Sequence, residues 1–596
     1  MSSNNRDVFL GVESSATGKR WEERLQDQRT ALALSQRLGL PEIIGRLLAA
    51  RGVGFDDAEA YLKPTLRDWL PNPSDLKGMD DTTARILTAI DKGEKIAVFG
   101  DYDVDGATSS ALLIRYFKNI GINLFVHIPD RVTEGYGPNL PALLKLQKEG
   151  CSLVITVDCG TSAFEALEGA QEAKLDVLVV DHHEAEANLP PAVAVVNPNR
   201  QDETREFSSL AAVGVVFLVL VALNRRLREA KWFAKRGLPE PNLMNLLDLV
   251  ALGTVCDVVP LAGLNRAYVS QGVKVLAKRQ NPGIVALSDA AKLSERPDSG
   301  HLGYTLGPRV NAGGRVGQSW LGAKLLSTDN AEEAVNIARQ LEEYNTDRKI
   351  IESEVLDQAL GVVGDESDLN GCVLVAGDGW HPGVIGIVAS RLKDRYNMPS
   401  FVIAFDDQGI GKGSGRSVPG VDLGAAVIAA RQAGILENGG GHSMAAGLTV
   451  KRERYKELCD FLGERLSVAM DQVAFIPGLG IDGALQPGGA TGDLIDLLES
   501  CGPFGMGNPQ PRFVMPSVRI LRPGVVGENH VRCILSGSDG RTIKGIAFRS
   551  LDNELGQVLL NTGGLPLHIC GKLKRDTWSG PDGVQMIIED AAIING

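Results

Sequence analysis

The stretch Val98-Phe99-Gly100-Asp101-Tyr102-Asp103-Val104-Asp105-Gly106 sets three carboxylates at alternate positions directly after an apolar run. Two further apolar runs end the same way, Ile155-Thr156-Val157-Asp158 and Leu178-Val179-Val180-Asp181-His182-His183. A further acid, Asp257, follows Gly253-Thr254-Val255-Cys256. Like charges this close repel unless they are protonated or neutralised by cations. Several aspartates with imidazole and no thiolate suit a hard or borderline divalent ion such as Mn2+ or Mg2+. Two such ions ~3.5–4 Å apart activate a water and stabilise the leaving oxygen of a phosphate ester. Blander readings exist for each piece. A single Asp after a strand commonly caps a helix or sits in a turn. An Asp-x-Asp-x-Asp-Gly run also resembles the opening of a calcium loop, but the twelfth position is Leu112 rather than the required Glu. Capping does not explain the same ending on three runs.

The elements that must position these residues are legible as short Val- and Ile-rich runs at Lys95–Gly100, Leu124–Ile128, Leu153–Val157, Val177–Val180 and Val193–Val196, with Ala- and Leu-rich amphipathic segments between them. Near-continuous apolar strands alternating with helices predict an α/β fold with a parallel sheet. In such sheets ligands gather outside the carboxyl ends of the strands. Three strands would therefore deliver acids to one edge.

From Asp329 the pattern becomes one long helix to about Leu360, roughly 45 Å at ~1.5 Å per residue, long enough to bridge two domains or to lie on the surface of one. A second α/β unit runs from Gly371 to about Val468. Beyond Pro477, alternating segments at Phe513–Ile520, His530–Leu535, Thr542–Phe548 and Val584–Ile588 predict a small β-barrel. The predicted domains are a helical lead-in (1–80), a catalytic parallel-sheet domain (81–270), a helical connector (271–365), a second α/β domain (366–470) and the barrel (471–596). Residues 1–20 are expected to be mobile.

The chain of 596 residues exceeds what one hydrophobic core supports, so several domains are expected. A net charge of −13 excludes bulk electrostatic attraction to nucleic acid or an anionic membrane, and leaves a local basic groove or bound metal to face phosphates. Eight scattered cysteines without a CxxC pair predict neither a disulfide framework nor a zinc knuckle, and fit a reducing cytoplasm. The N-terminus has no signal-peptide core, and the most apolar stretch, Leu210–Leu223, is shorter than the ~20 residues a membrane span needs.

Other segments have the composition of phosphate holders. Gly307–Arg315 sets Arg309 and Arg315 among glycines that permit close backbone approach, with Asn311 between them; arginine pairs bidentately with phosphate oxygens. Asn438–Gly447, with Gly440, Gly441 and His442, reads as a Gly-rich turn into an Ala-rich helix start, whose backbone N–H groups could bind phosphate. Arg131 and Tyr136 follow the second strand, placed to reach a terminal phosphate and to stack on a base.

Asp-Tyr-Asp-Val-Asp-Gly, Val-Asp-Cys-Gly, Asp-His-His and Cys-Asp-Val-Val-Pro resemble the four motifs of the DHH phosphoesterase superfamily, and the chain from about residue 21 onward resembles its RecJ family. That resemblance implies a metal-dependent 5′-to-3′ exonuclease specific for single-stranded DNA, acting in repair and recombination. Carried over by position, Asp103, Asp105, Asp158, His182 and Asp257 match the metal ligands for two divalent ions. Asp101, where other branches often carry His, joins Asp158, Asp181 and His183 in the catalytic set. Asp181 would orient its neighbours and His183 would face the scissile phosphate. Asn438–Gly447 resembles the substrate-contacting motif of a DHHA1 domain. Arg131, Ser414 and Arg416 would form a 5′-phosphate pocket, and Trp380–Gly383 would line the cleft. The C-terminal segment resembles an OB-fold, with Phe513, Arg532, Lys544, Phe548, Lys572, Lys574, Arg575 and Trp578 as candidate strand contacts. The resemblance also implies a monomer working with a helicase and a single-strand-binding protein. Two other readings stay open: a superfamily enzyme acting on pyrophosphate, cyclic dinucleotides or short RNA, and an inactive DNA-binding scaffold.

Overall fold

The computed structural model describes residues 7–131, 133–204, 206–364, 369–472, 477–576, 580 and 582–594. Two compact units are present: Pro71–Val259 with Gly272–Ala474, and Met1–Leu70 with Pro260–Gln271 and Phe475–Gly596. A short strand, β1 (Arg20–Glu23), comes first in the chain and belongs to the second of these.

The first unit is built around a five-stranded sheet of β2 (Lys95–Gly100), β3 (Phe125–His127), β4 (Cys151–Val157), β5 (Asp176–Val180) and β6 (Ala194–Val196). All pairings are parallel, in the order β3-β2-β4-β5-β6. Both faces are covered, which is why the strands read as unbroken apolar runs. On one side lie α1 (Val104–Asn119), α2 (Ala212–Glu229) and α3 (Leu247–Cys256), which pack on one another. The apolar Leu210–Leu223 stretch thus falls largely in a helix of the core, and among the described residues no helix is long and apolar enough to cross a membrane. Asp257 is not on a strand end: the run before it is α3, and Asp257 is that helix's C-cap.

A π-helical turn, His301–Leu306, leads into α4 (Gly307–Val316). The Arg- and Gly-containing segment is therefore helical. Its glycines serve close approach: a Cβ on Gly314 would stand 2.6 Å from the Tyr102 carbonyl oxygen, so α4 presses on the loop that carries the acids. The long helix α5 (Ala331–Val363) is capped by Asn330, whose side chain accepts from Glu332 and Glu333 N–H at 2.9 and 3.1 Å. Its first half packs on α4, and Val355 and Ala359 join the core of the second sheet, so it bridges the two halves of this unit.

That second sheet holds β7 (Val373–Asp378), β8 (Ser400–Phe405), β9 (Ile410–Arg416), β10 (Asn438–His442) and β11 (Ala445–Lys451), ordered β10-β11-β9-β8-β7. Only β7–β8 is parallel. The helix α6 (Ile385–Tyr396) packs against β8 and β9. The expectation of a turn opening a helix at Asn438–Gly447 is corrected here. Gly440, Gly441 and His442 lie on β10, one arm of a hairpin with β11, because three small residues pair closely in a strand and Ala445 onward alternates buried and exposed.

In the other unit β12 (Gly478–Ile481) pairs in parallel with β1, and β13 (Gly483–Ala484) leads to β14 (Phe513–Val526). The strands β14, β15 (His530–Ser536), β16 (Thr542–Ala547), β18 (Val584–Ile593) and β17 (Leu567–Arg575) form a ring closed by β14–β17 pairing. The strand β17 has no counterpart among the segments expected from sequence. Leu34, Ile44, Leu47 and Leu48 of the lead-in share one core with Phe513, Val531 and Leu535 of the barrel, so the lead-in up to Leu70 and the barrel are not separate packing units. Phe9 and Val12 are buried with Trp21 and Ile481, which corrects the expectation of mobility for residues 7–20. Residues 1–6 and Trp578 lie outside the described residues. On the barrel Phe513 is core, Lys544, Lys572 and Arg575 are ion-paired, and Phe548 stands half-exposed against His530.

Candidate metal centre and anion cleft

Adjacent strands of a sheet lie about 4.8 Å apart, so the ends of β2, β4 and β5, neighbours in that order, converge their carboxylates. Ligand atoms of Asp101, Asp103 and Asp158 lie within 4.8 Å of one another, as do those of Asp105, His182 and Asp257, and those of Asp158, His182 and His183. All the sequence-predicted ligands thus meet, and Asp101 stands among them.

Each is fixed by its neighbours. Asp103 caps α1, accepting from Gly106 N–H at 3.0 Å. Asp105 is held by the Ala212 and Val213 N–H groups at the start of α2, at 2.6 and 2.9 Å. His182 lies with Nδ1 3.0 Å from the Leu210 carbonyl oxygen, which fixes the proton on Nδ1 and turns the Nε2 lone pair inward. Asp158 sits at φ 60° and Val258, beside Asp257, also at φ 60°, conformations unusual for residues with a Cβ and found where a site dictates the backbone.

Four inward atoms, Asp101 Oδ1, Asp158 Oδ1, His182 Nε2 and Asp257 Oδ2, are buried without a hydrogen-bond partner. Asp158 Oδ1 and His182 Nε2 lie 3.3 Å apart without bonding. Burial, and then the charge of Asp103, raise the proton affinity of Asp101 and Asp158 well above the carboxylate range. The same causes push Asp105 to about 7, while burial and then Asp105 push Asp257 to about 9. Orphaned polar atoms and mutually repelling acids are what a pair of divalent cations would satisfy, so the residues fit such ions.

Asp181 behaves oppositely. Burial works to raise it, but hydrogen bonds from His183 and Thr161 hold it below the usual range. It accepts from Thr161 N–H at 3.0 Å and His182 N–H at 2.7 Å, and its Oδ1 is 2.7 Å from His183 Nδ1. Burial lowers the proton affinity of His183, yet the Asp181 hydrogen bond raises it overall; the ring is half-exposed. Tyr136 does not present a free ring for stacking only: its hydroxyl donates to the Asp158 carbonyl at 3.1 Å and lies 3.2 Å from His183 Nδ1.

Sequence reasoning missed the braces. Asn197 donates to Thr161 Oγ1 and to the His183 carbonyl at 2.9 and 2.8 Å, and Asn199 donates to the His182 and Ser208 carbonyls. The signal was present as Asn-Pro-Asn after another apolar run of the same sheet. Tyr102 was also missed; its ring carries the Arg131 guanidinium at 5.1 Å.

Arg131, Arg315, Ser414, Arg416 and Gly440 meet in a cleft of about 440 Å³, to which Pro382 and Gly383 contribute. Arg315 donates to the Gly383 carbonyl at 3.1 Å, and burial, then Arg131, lower its proton affinity to about 10. Arg416 donates to Ser414 Oγ at 3.1 Å, and burial and Arg131 lower it too. Cations forced together with their proton affinities depressed mark a place for an anion. Arg309 is turned away, held by Glu342 and the Thr305 carbonyl, and Asn311, one turn before Arg315, is half-buried outside the cleft lining. Gly441 and His442 are exposed and do not line the cleft. Trp380 is buried, its indole N–H bonded to Gln358, and His381 accepts the Gly383 N–H at 3.0 Å.

Three family models match along the chain: the DHH family, N-terminal domain, over residues 95–254, the DHHA1 domain over 368–468, and the RecJ OB domain over 481–590. The single-stranded-DNA-specific exonuclease RecJ of Escherichia coli is 35% identical over 92% of this chain and 96% of its own length. The crystal structure of RecJ from Thermus thermophilus in complex with Mn2+ matches with a TM-score of 0.80 at 27% identity, over 96% of this chain and 79% of that one. The corresponding Mg2+ complex matches with a TM-score of 0.73 at 26% identity, over 96% and 78%. Fold and site define a DHH–DHHA1 phosphoesterase with an OB barrel. The chain belongs to the RecJ family.

Proposed function

We propose that this chain hydrolyses phosphodiester bonds of single-stranded DNA from the 5′ end, in DNA repair and recombination, with two divalent ions, Mn2+ or Mg2+. The observation that carries this reading is the adjacency of two sites in one unit. Arg131, which lines the anion cleft, stacks on Tyr102, the residue between Asp101 and Asp103. A terminal phosphate in that cleft would set the first internucleotide bond against the acids.

Asp101, Asp103 and Asp158 would hold one ion, and Asp105, His182 and Asp257 the other. Bound there, the ions supply Lewis-acid activation of water and of the scissile phosphate. His183, whose proton affinity the Asp181 hydrogen bond raises against the effect of burial, faces that phosphate and stabilises its developing charge. Arg131, Ser414 and Arg416 bind the 5′-phosphate, with Arg315 behind them and the N-terminus of α6 alongside, since a Cβ on Gly386 would stand 3.0 Å from both Ser414 Oγ and Arg416 Nη2. Tyr136 borders the strand path, and Gly440 lines the phosphate cleft. A helicase would supply the free strand and a single-strand-binding protein would meet the enzyme on it, in the cytoplasm, with the chain acting as a monomer.

The test is digestion of one oligonucleotide labelled separately at each end, with Mn2+ or with EDTA, and with the matching duplex in parallel. Early loss of the 5′ label from single strands only, and only with metal, is the expected result. Intact DNA that is still bound would replace the reading with a scaffold; neither binding nor cleavage would point to small phosphodiesters.

A further inference from the structure

The anion cleft is longer than one phosphate requires. Along β9, Arg416, Ser414 and Lys412 occupy alternate positions and so share one face, with successive side chains roughly 6.6 Å apart. The pairing with β11 and β10 extends each position into a row. Ser414 stands opposite Gly447, which stands opposite Gly440; Lys412 stands opposite Thr449, which stands opposite Asn438. All six residues line the cleft.

The middle row is a floor of glycine that the fold does not demand. A Cβ on Gly440 would meet nothing within 4 Å, and one on Gly447 only the Gly413 oxygen at 3.9 Å; neither has a left-handed φ. Glycine in an ordinary strand, bordering open space, has no packing or backbone reason, and marks where something else approaches the main chain closely. Beyond that floor Lys412 and Asn438 are exposed. The nearby ion pairs use other side chains, Lys451 with Glu437 and Arg452 with Asp378. The outer row therefore offers an ammonium, an amide and a hydroxyl, with no aromatic to stack a base. That is a donor set for a further phosphate.

We propose that the cleft accepts a 5′-polyphosphate terminus. The phosphate next to the first sugar sits with Arg131, Ser414 and Arg416, and the additional phosphates cross the Gly440–Gly447 floor to Lys412, Thr449 and Asn438. This rests on the exonuclease reading above and adds a substrate class to it. In the first turnover water attacks the phosphorus between nucleotides one and two. A bond forms from the water oxygen to that phosphorus, the bond to the 3′-oxygen of nucleotide one breaks, and that oxygen takes up a proton. The released product is a nucleoside 5′-triphosphate, and the shortened strand carries a 5′-monophosphate, so only the first turnover uses the outer row.

The experiment compares oligodeoxynucleotides with 5′-triphosphate and 5′-monophosphate ends, following the first released nucleotide. Wild type should release a nucleoside triphosphate from the former. In Lys412→Ala the rate ratio, triphosphate end over monophosphate end, should fall at least tenfold. Lys412→Arg should recover part of it, and Gly447→Val, which fills the floor, should lower the same ratio. A triphosphate end that is not cut, release of pyrophosphate in place of the nucleoside triphosphate, or a ratio unmoved in both Lys412→Ala and Gly447→Val would overturn the proposal while leaving the exonuclease reading intact. If the monophosphate end also survives, both readings fall.

Discussion

The two halves of the unit that holds the site handle charge in opposite ways. At the edge of the parallel sheet, acids are crowded at strand ends, buried, and left with unpartnered atoms. On the antiparallel strands of the second sheet, basic and polar groups lie along a strand face, with open glycines between them. Carboxylates at this edge are held in place because backbone N–H groups at helix starts grip them, as Ala212 and Val213 grip Asp105. A strand face instead offers a track, repeating every second residue, along which a polyanion can lie. The first arrangement suits ions and bond breaking, and the second suits positioning of the chain to be cut.

Several experiments would break or sharpen that contrast. Asp158→Ala should have the largest effect, beyond the roughly 100-fold seen for outer partners of metal ligands, with 5′-phosphorylated DNA still bound; weakened binding with preserved turnover would erase the distinction. Metal removal should separate the halves through pH. In EDTA, Asp105 at about 7 and Asp257 at about 9 lie above the ordinary carboxylate value near ~3.9. The folded chain then holds protons that the unfolded chain has released, so the Tm should fall as pH rises from 5 to 9. Mn2+ should abolish that slope, and an unchanged slope would remove the acids from the metal centre.

Asp181→Asn should cost about 10- to 100-fold in kcat. Because Asp181 raises the proton affinity of His183, the alkaline fall in activity should move to lower pH in this variant; a lower rate with an unmoved profile would make Asp181 merely structural. Arg416→Ala removes charge-assisted hydrogen bonds worth ~1.5–3 kcal/mol, so KM for 5′-phosphorylated strands should rise roughly 10- to 150-fold. Strands with a 5′-hydroxyl should change little, and an equal loss on both ends would deny the cleft its role as a phosphate reader.

Much of the acid edge was readable in the chain because it is local. Asp101, Asp158 and Asp181 each follow an apolar run, and the strand order β3-β2-β4-β5-β6, with β3 on the far side of β2, places the ends of β2, β4 and β5 side by side. The element before Asp257 was not legible, since a largely apolar run of ten residues, Leu247–Cys256, reads alike as a buried strand or a buried helix, and the structure makes it a helix. The cleft was less legible. Its residues come from Arg131, Arg315, Ser414 and Gly440, on four separate elements, and Arg309, which the sequence places beside Arg315, is captured by Glu342 on a different helix. The lead-in and the barrel could not be joined from sequence at all, because Leu34 and Phe513 meet only across the length of the chain.

What the sequence determined by itself is therefore the chemistry of the acids and the alternation of strands and helices, both set by neighbours along the chain. What the tertiary structure decided is which arginines face an anion, which glycines border open space, and which carboxylate, Asp181, is stabilised while the others are not. These depend on burial and on partners distant in sequence, and no local pattern encodes either.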